Sequence, residues 1–354
     1  MSKIKIAVIG CGTIANTAHI PSYTKMENVE IKYFCDIIPE KAQKAAEKYG
    51  SGTVVADYHE ILNDAEVSAV SVCTPNKMHT PISIDFLKAG KHVLCEKPAA
   101  RTYKEALEMQ KAQHETGRTL NIGVVNRFNT AVNEIKKIID SGGLGELYHV
   151  YVSFRAHRSI PGLGGAFTTK DIAGGGVLID WGVHFLDIVM FCSGDPKPLT
   201  VSGKAFCKLG VDMKNYVYKS MWAEDTKNVN GVYDVDDSVT GFIRTSGPTV
   251  TLNGAWAQNI GAGESYIDFL GTKGGIRLQY GGDFEVFTTK NNELYSYKPQ
   301  YDSVDMFYNE ISSFIRCAQT GEKLPSHIDT VIVTAQMMQA IYDSSDAGKE
   351  ISLI

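Results

Sequence analysis

The segment GGGVLIDWGVHFLD, residues 174–187, combines glycines, apolar residues and titratable side chains. Asp180 and His184 are four residues apart, so in a helix they would lie on one face, and Asp187 follows seven residues after Asp180. A carboxylate beside an imidazole is suited to proton transfer at neutral pH, because the ordinary histidine pKa is about 6.5. The pattern therefore indicates a general acid–base group carried on a helix.

A second candidate is CEKPAA, residues 95–100, which places Glu96 and Lys97 at the end of an apolar run, before a proline. A lysine beside a glutamate at a sheet edge is commonly an exposed ion pair that adds little stability. Next to a bound cofactor, however, the same ammonium group would bind a substrate hydroxyl and favour its deprotonation. Both interpretations of Lys97 remain open on the sequence alone.

GCGTIA, residues 10–15, has the spacing of a dinucleotide-binding turn. Gly10 permits the tight turn, Gly12 lets the backbone approach a pyrophosphate, and Ala15 is small enough for close packing of helix on strand. The helix N-terminus then offers N–H groups and a positive dipole end to the phosphates. The predicted cofactor contacts of this turn are Gly10, Cys11, Gly12, Thr13 and Ile14.

Asp36 follows the second apolar run, 24 residues after Gly12. A carboxylate at this position accepts both ribose hydroxyls of NAD and repels the 2′-phosphate of NADP. No arginine or lysine follows directly, because Ile37 and Ile38 come next. The sequence therefore predicts NAD as the cofactor, and the alternative is a solvated aspartate that begins a turn before Pro39.

Further candidates lie at predicted strand ends and in the loop before the glycines. CTPNKMH, residues 73–79, ends a long apolar run at the sheet edge where ligands bind, and His79 would approach the cofactor or cap the helix that it begins. FRAHRSIPG, residues 154–162, supplies cationic side chains for hydroxyl or carboxylate groups, although surface arginines are commoner. The additional predicted contacts are Thr74, Pro75, Asn76, His79, Glu96, Lys97 and Arg127 for the cofactor, and Arg155, His157 and Arg158 for the substrate.

Residues 174–187 have two other interpretations. Asp180, His184 and Asp187 would together offer a metal ion three ligands on one helix face, but hydride transfer to a nicotinamide needs no metal and we expect none. Alternatively, the polar groups are satisfied inside a protein core. Trp181 is a further predicted substrate contact, whose ring would stack on the face of a sugar, and the alternative is a core tryptophan.

These residues must be positioned by regular elements, and the first third of the chain alternates β-branched apolar runs with helical patterns. Gly50, Gly90 and Gly117 occupy the positions of C-terminal helix caps. The alternation is typical of a βαβ series, and hence of a doubly wound parallel sheet. The predicted strands are IKIAVIG (4–10), EIKYFCD (30–36), VSAVSVCT (67–74), KHVLCE (91–96) and TLNIGVV (119–125).

Beyond residue 126 the pattern changes to one helix, a strand at LYHVYVSFRA, alternating strands from about 197 to 290, and helices near 303–320 and 328–347. We therefore predict an α/β protein with two domains. Residues 1–125 form a Rossmann domain that binds the dinucleotide. Residues 126–354 form an α+β domain with a large, mostly antiparallel open sheet for substrate binding and oligomerisation. An open sheet leaves one face to cover, so we expect a homo-oligomer.

The composition restricts the partners and the cellular compartment. The 354 residues are 44% hydrophobic and 21% charged, which is typical of a globular protein long enough for two domains. A net charge of −5 disfavours nucleic acid or an anionic membrane as a partner. The seven scattered cysteines are expected to be reduced thiols in a cytoplasmic protein. We expect neither a signal peptide nor a membrane helix, since no run of about 18 uncharged apolar residues occurs.

The ordered set of motifs resembles the Gfo/Idh/MocA family, which includes glucose–fructose oxidoreductase and inositol dehydrogenase. Together the motifs span nearly the whole chain. The resemblance implies a Rossmann domain followed by an α/β domain whose open sheet commonly forms a dimer or tetramer interface. The residues that carry the resemblance are GCGTIA, CTPNKMH, AGKHVLCEKP, VVNRF, GGGVLIDWGVHFLD and FYNEISSFIRCAQTGEKLP.

The resemblance also implies roles for three residues. The lysine of the family's EKP motif falls on Lys97, and the aspartate and histidine of its D-x-G-x-H motif fall on Asp180 and His184. His184 would take a proton from a substrate hydroxyl as hydride passes to NAD, and Asp180 would bind a hydroxyl or hold the imidazole. Lys97 would stabilise the alkoxide. The sequence does not decide whether His184 or Lys97 is the base.

Three functions agree with these residues. The leading hypothesis is an NAD-dependent dehydrogenase that oxidises a secondary hydroxyl of a sugar, cyclitol or glycoside, with C3 of a glucosyl unit as the nearest match. The second is a redox-neutral enzyme of the same fold, in which the hydride returns to the product. The third is a non-catalytic sensor of NAD and sugar, against which the intact Lys97, Asp180 and His184 argue. The long loop at about 207–235 prevents transfer of the substrate from any single relative.

Overall fold

The structure is a computed structural model that describes residues 3–50, 52–219 and 227–354. The chain divides into two compact units, and neither is continuous in sequence. The first unit is Met1–Phe128 with Val304–Ile332, and the second is Asn129–Ser303 with Val333–Ile354.

The first unit contains a six-stranded parallel sheet. Its strands are β1 (Ile4–Ile9), β2 (Val29–Cys35), β3 (Thr53–Val55), β4 (Val67–Val72), β5 (His92–Glu96) and β6 (Leu120–Gly123). They lie in the order β3-β2-β1-β4-β5-β6, so the direction of strand addition reverses between β1 and β4. The predicted doubly wound sheet is confirmed, and only the three-residue β3 has no counterpart among the predicted strands.

Helices cover this sheet at the predicted places. Gly50 and Gly117 have left-handed φ angles of 82° and 64° and cap the second and fifth helices, as the sequence predicted. At the other end of the fifth helix, the Thr102 side chain accepts a hydrogen bond from the backbone of Glu105. The helices are α1 (Ile20–Thr24), α2 (Pro39–Tyr49), α3 (His59–Leu62), α4 (His79–Lys88) and α5 (Tyr103–Thr116).

A late segment of the chain completes the core of the first unit. Helix α9 (Met306–Thr320) is amphipathic, and its buried Ile311 and Phe314 pack in the same cluster as Ile6 and Val8 of β1. The units therefore differ from the two continuous domains predicted, 1–125 and 126–354, because the apolar face of α9 is buried against the first sheet.

The second unit is built on a nine-stranded sheet that is mostly antiparallel, as predicted. Its strands are β7 (Leu147–Arg155), β8 (Pro198–Phe206), β9 (Ser238–Thr245), β10 (Thr249–Ala255), β11 (Glu264–Gly271), β12 (Gly274–Gln279), β13 (Phe284–Lys290), β14 (Glu293–Tyr297) and β15 (Ile351–Ser352). Their order is β14-β13-β12-β11-β7-β10-β9-β8-β15, with β7 parallel to β10. The remaining helices are α6 (Thr130–Asp140), α7 (Lys170–Ala173), α8 (Val183–Cys192) and α10 (Ile328–Ala347).

One face of this sheet packs on α8. Val150, Val152 and Phe154 of β7 are fully buried, and the ring of Phe154 stacks on Phe185 of α8 with centroids 4.7 Å apart. Because strand side chains alternate, neighbours such as Tyr151 lie on the opposite, partly exposed face. The strand register thus separates a core face from an open face.

The stretch Lys170–Cys192 is long and apolar enough to cross a membrane by length and composition, which the sequence patterns did not lead us to expect. However, 89% of its apolar window is buried inside the protein. The core helix of a globular unit has the same composition, and α8 occupies such a core position.

Candidate active site

The turn after β1 has the backbone that a dinucleotide-binding loop needs. Gly10 has a φ of +89°, and a Cβ there would lie 2.5 Å from the carbonyl oxygen of Cys73, so only glycine fits. A Cβ at Gly12 would meet no atom within 4 Å, so this backbone faces open space. The helical turn that follows has Ile14 at its N-cap and no side chain bonded to its first N–H groups. Those N–H groups suit a phosphate.

Asp36 is held over this turn by backbone hydrogen bonds. Its carboxylate accepts the N–H of Cys11 at 2.9 Å and the N–H of Ile38 at 2.9 Å. Burial, followed by the charge of Asp36, raises the pKa of the Cys11 thiol to about 12, so this thiol stays neutral. Ile37 is 89% exposed beside Asp36, an unusual position for an apolar side chain that the sequence analysis had not assigned to the site.

The edge beyond β4 carries the predicted CTPN residues. The hydroxyl of Thr74 is buried without a hydrogen-bond partner, whereas Pro75 is exposed and Asn76 is half-buried. His79 is 1% exposed, and its ring nitrogens lie 2.8 Å from the carbonyl of Pro98 and 2.9 Å from that of Thr74. Burial lowers the pKa of this imidazole. His79 therefore braces the two strand-end loops, and its ring does not face the surface where a cofactor contact was predicted.

These features fit a dinucleotide. An open glycine backbone, a buried hydroxyl without a protein partner and a fixed carboxylate after β2 all lie at the carboxyl edge of the parallel sheet. This edge, beside the reversal of strand order, is where such sheets bind ligands.

Lys97 directly follows β5 at the same edge. Its side chain is half-buried, and its backbone N–H donates to the carboxylate of Glu96 at 3.1 Å. Glu96 is only 7% exposed, so it is not part of the exposed ion pair that was the alternative interpretation of this motif.

Arg127 was predicted to contact cofactor or substrate, and the structure gives it another position. The residue is 2% exposed, and its guanidinium donates to the carbonyl of Pro325 at 2.9 Å. It ties the turn after β6 to the segment between α9 and α10. The residues it joins lie about 200 positions apart, so no local pattern indicated this contact.

In the second unit, the predicted helix at 174–187 is not a single α-helix. Leu178–Gly182 forms a π-helical turn, and α8 begins after it. The i→i+5 bonding of a π-turn changes the angle between Asp180 and His184 relative to the spacing assumed from the sequence. Asp180 is 8% exposed, whereas His184 is partly exposed with its ring centroid 6.2 Å from that of Tyr280. Single-turn π-bulges occur frequently at functional sites.

The glycines before this turn have a structural reason that the sequence did not reveal. A Cβ at Gly175 would lie 2.1 Å from the Tyr342 hydroxyl, and a Cβ at Gly176 would lie 1.9 Å from the carbonyl oxygen of Asp236. The Asp236 carboxylate accepts the N–H groups of Gly176 at 2.7 Å and Leu178 at 3.0 Å, as well as the Tyr342 hydroxyl at 2.7 Å. Asp236 therefore caps the start of the helix, and sequence reasoning missed it.

The predicted substrate residue Arg155 lies at the end of β7 next to Phe154. Because Phe154 packs on α8, Arg155 points to the opposite face of the sheet. There its guanidinium pairs with Glu264 of the adjacent strand β11. The structure thus does not bring Arg155 together with Asp180 and His184.

The other predicted substrate residues are His157, Arg158 and Trp181, and each contacts neighbouring protein groups. His157 Nδ1 lies 3.0 Å from the carbonyl of Gln258, and Arg158 donates to the side chain of Asn259 at 2.5 Å. Trp181 is partly buried and packs against the main cluster of the second unit, as in the interpretation of it as a core residue. Across the described ranges, no group of three or more His, Cys, Asp or Glu side chains is arranged to hold a metal ion.

A glycine turn after β1, an acid after β2 and this strand order together define a dinucleotide-binding Rossmann protein. Comparison with known families agrees. The model of the oxidoreductase family with an NAD-binding Rossmann fold (GFO_IDH_MocA) matches residues 4–124, and the GFO/IDH/MocA C-terminal domain matches residues 132–277. The chain belongs to the Gfo/Idh/MocA oxidoreductase family, and NAD is its cofactor.

Two relatives of known activity match most of the chain, and one of them matches nearly its full length. The chain is 30% identical to D-glucoside 3-dehydrogenase of Escherichia coli over 99% of this chain and 98% of the relative. It is 28% identical to levoglucosan dehydrogenase of Pseudarthrobacter phenanthrenivorans over 79% of this chain and 74% of the relative. A solved levoglucosan dehydrogenase in complex with NADH and levoglucosan shares the fold, with a TM-score of 0.86 and 21% identity over 99% of this chain and 100% of that one.

Removing the helix cap tests the geometry of the second unit. We expect Asp236→Asn to destabilise the protein by about 1–3 kcal/mol, because an amide nitrogen would face a backbone N–H and leave a buried donor unpaired. The matched control is Asp234→Asn, since this exposed carboxylate accepts one bond, from Lys170 N, and its loss should cost less than about 1 kcal/mol. Urea unfolding measures both, and equal effects would contradict the assigned cap.

Proposed function

We propose that the protein is an NAD-dependent dehydrogenase that oxidises a secondary hydroxyl of a sugar, cyclitol or glycoside. The observation that carries the proposal is the presence, in one chain, of the dinucleotide turn, Lys97, Asp180 and His184. The full-length relative named D-glucoside 3-dehydrogenase supports a glucosyl unit as the substrate and its C3 hydroxyl as the position oxidised.

The residues that would hold NAD are those at the carboxyl edge of the first sheet. Gly10, Gly12 and the N–H groups after them would bind the pyrophosphate, and Asp36 would accept the ribose hydroxyls. The buried Thr74 hydroxyl would supply a further polar contact to NAD, and Ile37 would supply an apolar one. When bound, NAD supplies the hydride acceptor at C4 of its nicotinamide.

The chain's own residues manage the proton and the charge. In this proposal His184 accepts the proton of the substrate hydroxyl at a ring nitrogen, and Asp180 binds a neighbouring hydroxyl or orients the imidazole. Lys97 stabilises negative charge on the oxygen as the proton leaves. Accumulation of NADH with substrate distinguishes this activity from a redox-neutral one, in which turnover occurs with no net NADH.

Asp36 should determine cofactor choice. We expect NADP to bind at least roughly tenfold more weakly than NAD, because its 2′-phosphate would meet a fixed carboxylate at close range. Asp36→Ala should narrow the difference in affinity between NAD and NADP. The control Glu115→Ala removes an exposed carboxylate on α5 and should leave this difference unchanged. Titration calorimetry measures both affinities, and equal binding of NAD and NADP by the parent protein would contradict the assignment.

Turnover should depend on His184 and Lys97 far more than cofactor binding does. His184→Ala should lower kcat by roughly 10²–10⁴, the usual contribution of a placed acid–base group, with little change in NAD affinity. Lys97→Ala should also lower kcat severely, and the double variant should lose less than the product of the two. His149→Ala, which removes a half-buried imidazole bonded to Thr249, is the control. Near-normal turnover by His184→Ala would overturn the role given to it.

We also propose a cytoplasmic homo-oligomer formed through the open face of the nine-stranded sheet. None of the seven cysteines forms a disulfide, which supports a reducing compartment. The open face carries Tyr151 and Tyr266, whose partly exposed rings lie 5.9 Å apart, with the Arg277 guanidinium over Tyr266. Such a mixture of aromatic and arginine side chains is common at interfaces. Light scattering at micromolar concentration should show a dimer or tetramer that Tyr266→Glu weakens, and a monomeric parent protein would refute the proposal.

A further inference from the structure

A chain of buried polar side chains runs beneath Lys97. The Tyr23 hydroxyl lies 2.7 Å from Ser71 Oγ, which in turn lies 3.0 Å from Nδ1 of His19. The other ring nitrogen of His19 lies 2.8 Å from Glu96 Oε1. Tyr23, Ser71 and His19 are at most 1% exposed, so water does not separate these groups.

The far end of this chain of bonds is the backbone of Lys97. Glu96 uses its second oxygen, Oε2, to accept the Lys97 N–H. Gly123 of β6 pairs with Glu96, and a Cβ at Gly123 would lie 3.1 Å from the carboxyl atoms. The carboxylate is therefore confined between the His19 ring, the Gly123 backbone and the residue that follows it.

Burying the carboxylate of Glu96 is unfavourable unless hydrogen bonds and nearby positive charge stabilise it. A buried carboxylate without partners costs several kcal/mol, and apolar residues of similar volume are often at least as stable. Burial opposes ionisation of Glu96, but the hydrogen bond from His19 and the charge of Lys97 outweigh it, so the pKa of this carboxyl lies below its ordinary value. Glu96 thus keeps a negative charge directly beside Lys97.

His19 is also connected to the cofactor end of the unit. It is the last residue of the π-helix Ala15–His19, which begins directly after the glycine turn. One assignment of hydrogens satisfies every bond: Nε2–H donates to Glu96, Nδ1 accepts from Ser71, and Ser71 accepts from Tyr23. His19 therefore connects the segment that would bind the phosphates of NAD to the segment that carries Lys97.

We infer that His19 is a positioning residue for the oxidation, which acts through the Glu96 carboxylate to hold Lys97 in its working place. The inference rests on the proposed role of Lys97. His19 itself touches neither substrate nor cofactor in this scheme. It fixes the orientation and the charge of Glu96, and Glu96 fixes the backbone and the electrostatic surroundings of Lys97.

The test compares two substitutions at one position. His19→Leu keeps apolar volume but removes both ring nitrogens, and it should lower kcat by up to about 10²-fold, since small misplacements of catalytic groups have effects of this size. NAD affinity and the substrate KM should change much less. His19→Gln retains one donor and one acceptor, and it should recover most of kcat. His92→Leu is the control, because His92 is a half-buried histidine of β5 bonded to Thr119 outside the network, and its kcat should equal that of the parent.

A second readout does not depend on turnover. The pH dependence of Lys97 acylation by acetic anhydride, followed by mass spectrometry, reports the titration of its amino group. Glu96→Gln removes the negative charge next to Lys97, so the midpoint should move to lower pH, and His19→Leu should move it in the same direction. The titratable groups outside this network that face it are His79, Cys73, Cys95 and Glu310.

The outcomes distinguish failure of the proposed function from failure of the role given to His19. If Lys97→Ala retains its rate, the proposed function fails, while the labelling midpoints still decide whether His19 acts on Lys97. If Lys97→Ala loses its rate but a folded His19→Leu keeps kcat and the parent's midpoint, the role of His19 is overturned. The role of His19 is also overturned if His19→Gln has no higher kcat than His19→Leu while thermal unfolding shows that both variants are folded. If His19→Leu does not fold, an unchanged midpoint of Lys97 acylation in Glu96→Gln overturns the role of His19.

Discussion

Acidic side chains that accept backbone N–H groups hold the loops that carry the candidate residues of each unit. Asp36 fixes the glycine turn, Glu96 the backbone of Lys97, and Asp236 the start of the helix that carries Asp180. Hydrogen bonds to an ionised acceptor are roughly twice as strong as neutral ones, and they satisfy donors that helix starts leave open. Loops held in this way keep their shape without large apolar contacts, so they can remain at the edge of a sheet where ligands enter.

Much of the fold could be predicted because its signals are local. Each buried strand, glycine cap and amphipathic helix is indicated by a pattern of only a few neighbouring residues. The structure has the five predicted parallel strands and these helices at nearly the predicted bounds. The cofactor turn was recognisable for the same reason, since Gly10, Gly12 and Asp36 follow their strands directly. The limits of the two units were not predicted, because the cluster that α9 shares with β1 joins residues about 300 positions apart.

The candidate site was predicted less completely, and the physical reasons are specific. Arg155 was predicted as a substrate contact in a loop, but it ends β7 on the face opposite to α8, and which face a strand residue takes follows from packing. Arg127 and His79 have the chemistry of ligands but satisfy carbonyl groups of loops. Asp236 had no local signal at all, since the N–H groups that it binds precede it by about 60 residues. The π-turn at Leu178–Gly182 likewise depends on packing and has no distinctive composition.

The first unit includes the late segment Val304–Ile332, and this affects the order in which the protein folds during synthesis. The sheet from β1 to β6 leaves the ribosome early, but the apolar surface that Ile311 and Phe314 cover has no partner until α9 is translated. All strands of the second unit except β15 are synthesised in that interval. The part of the protein that is synthesised first is therefore among the last to complete its core, and until then it exposes apolar surface of the kind that makes partly folded chains prone to aggregate.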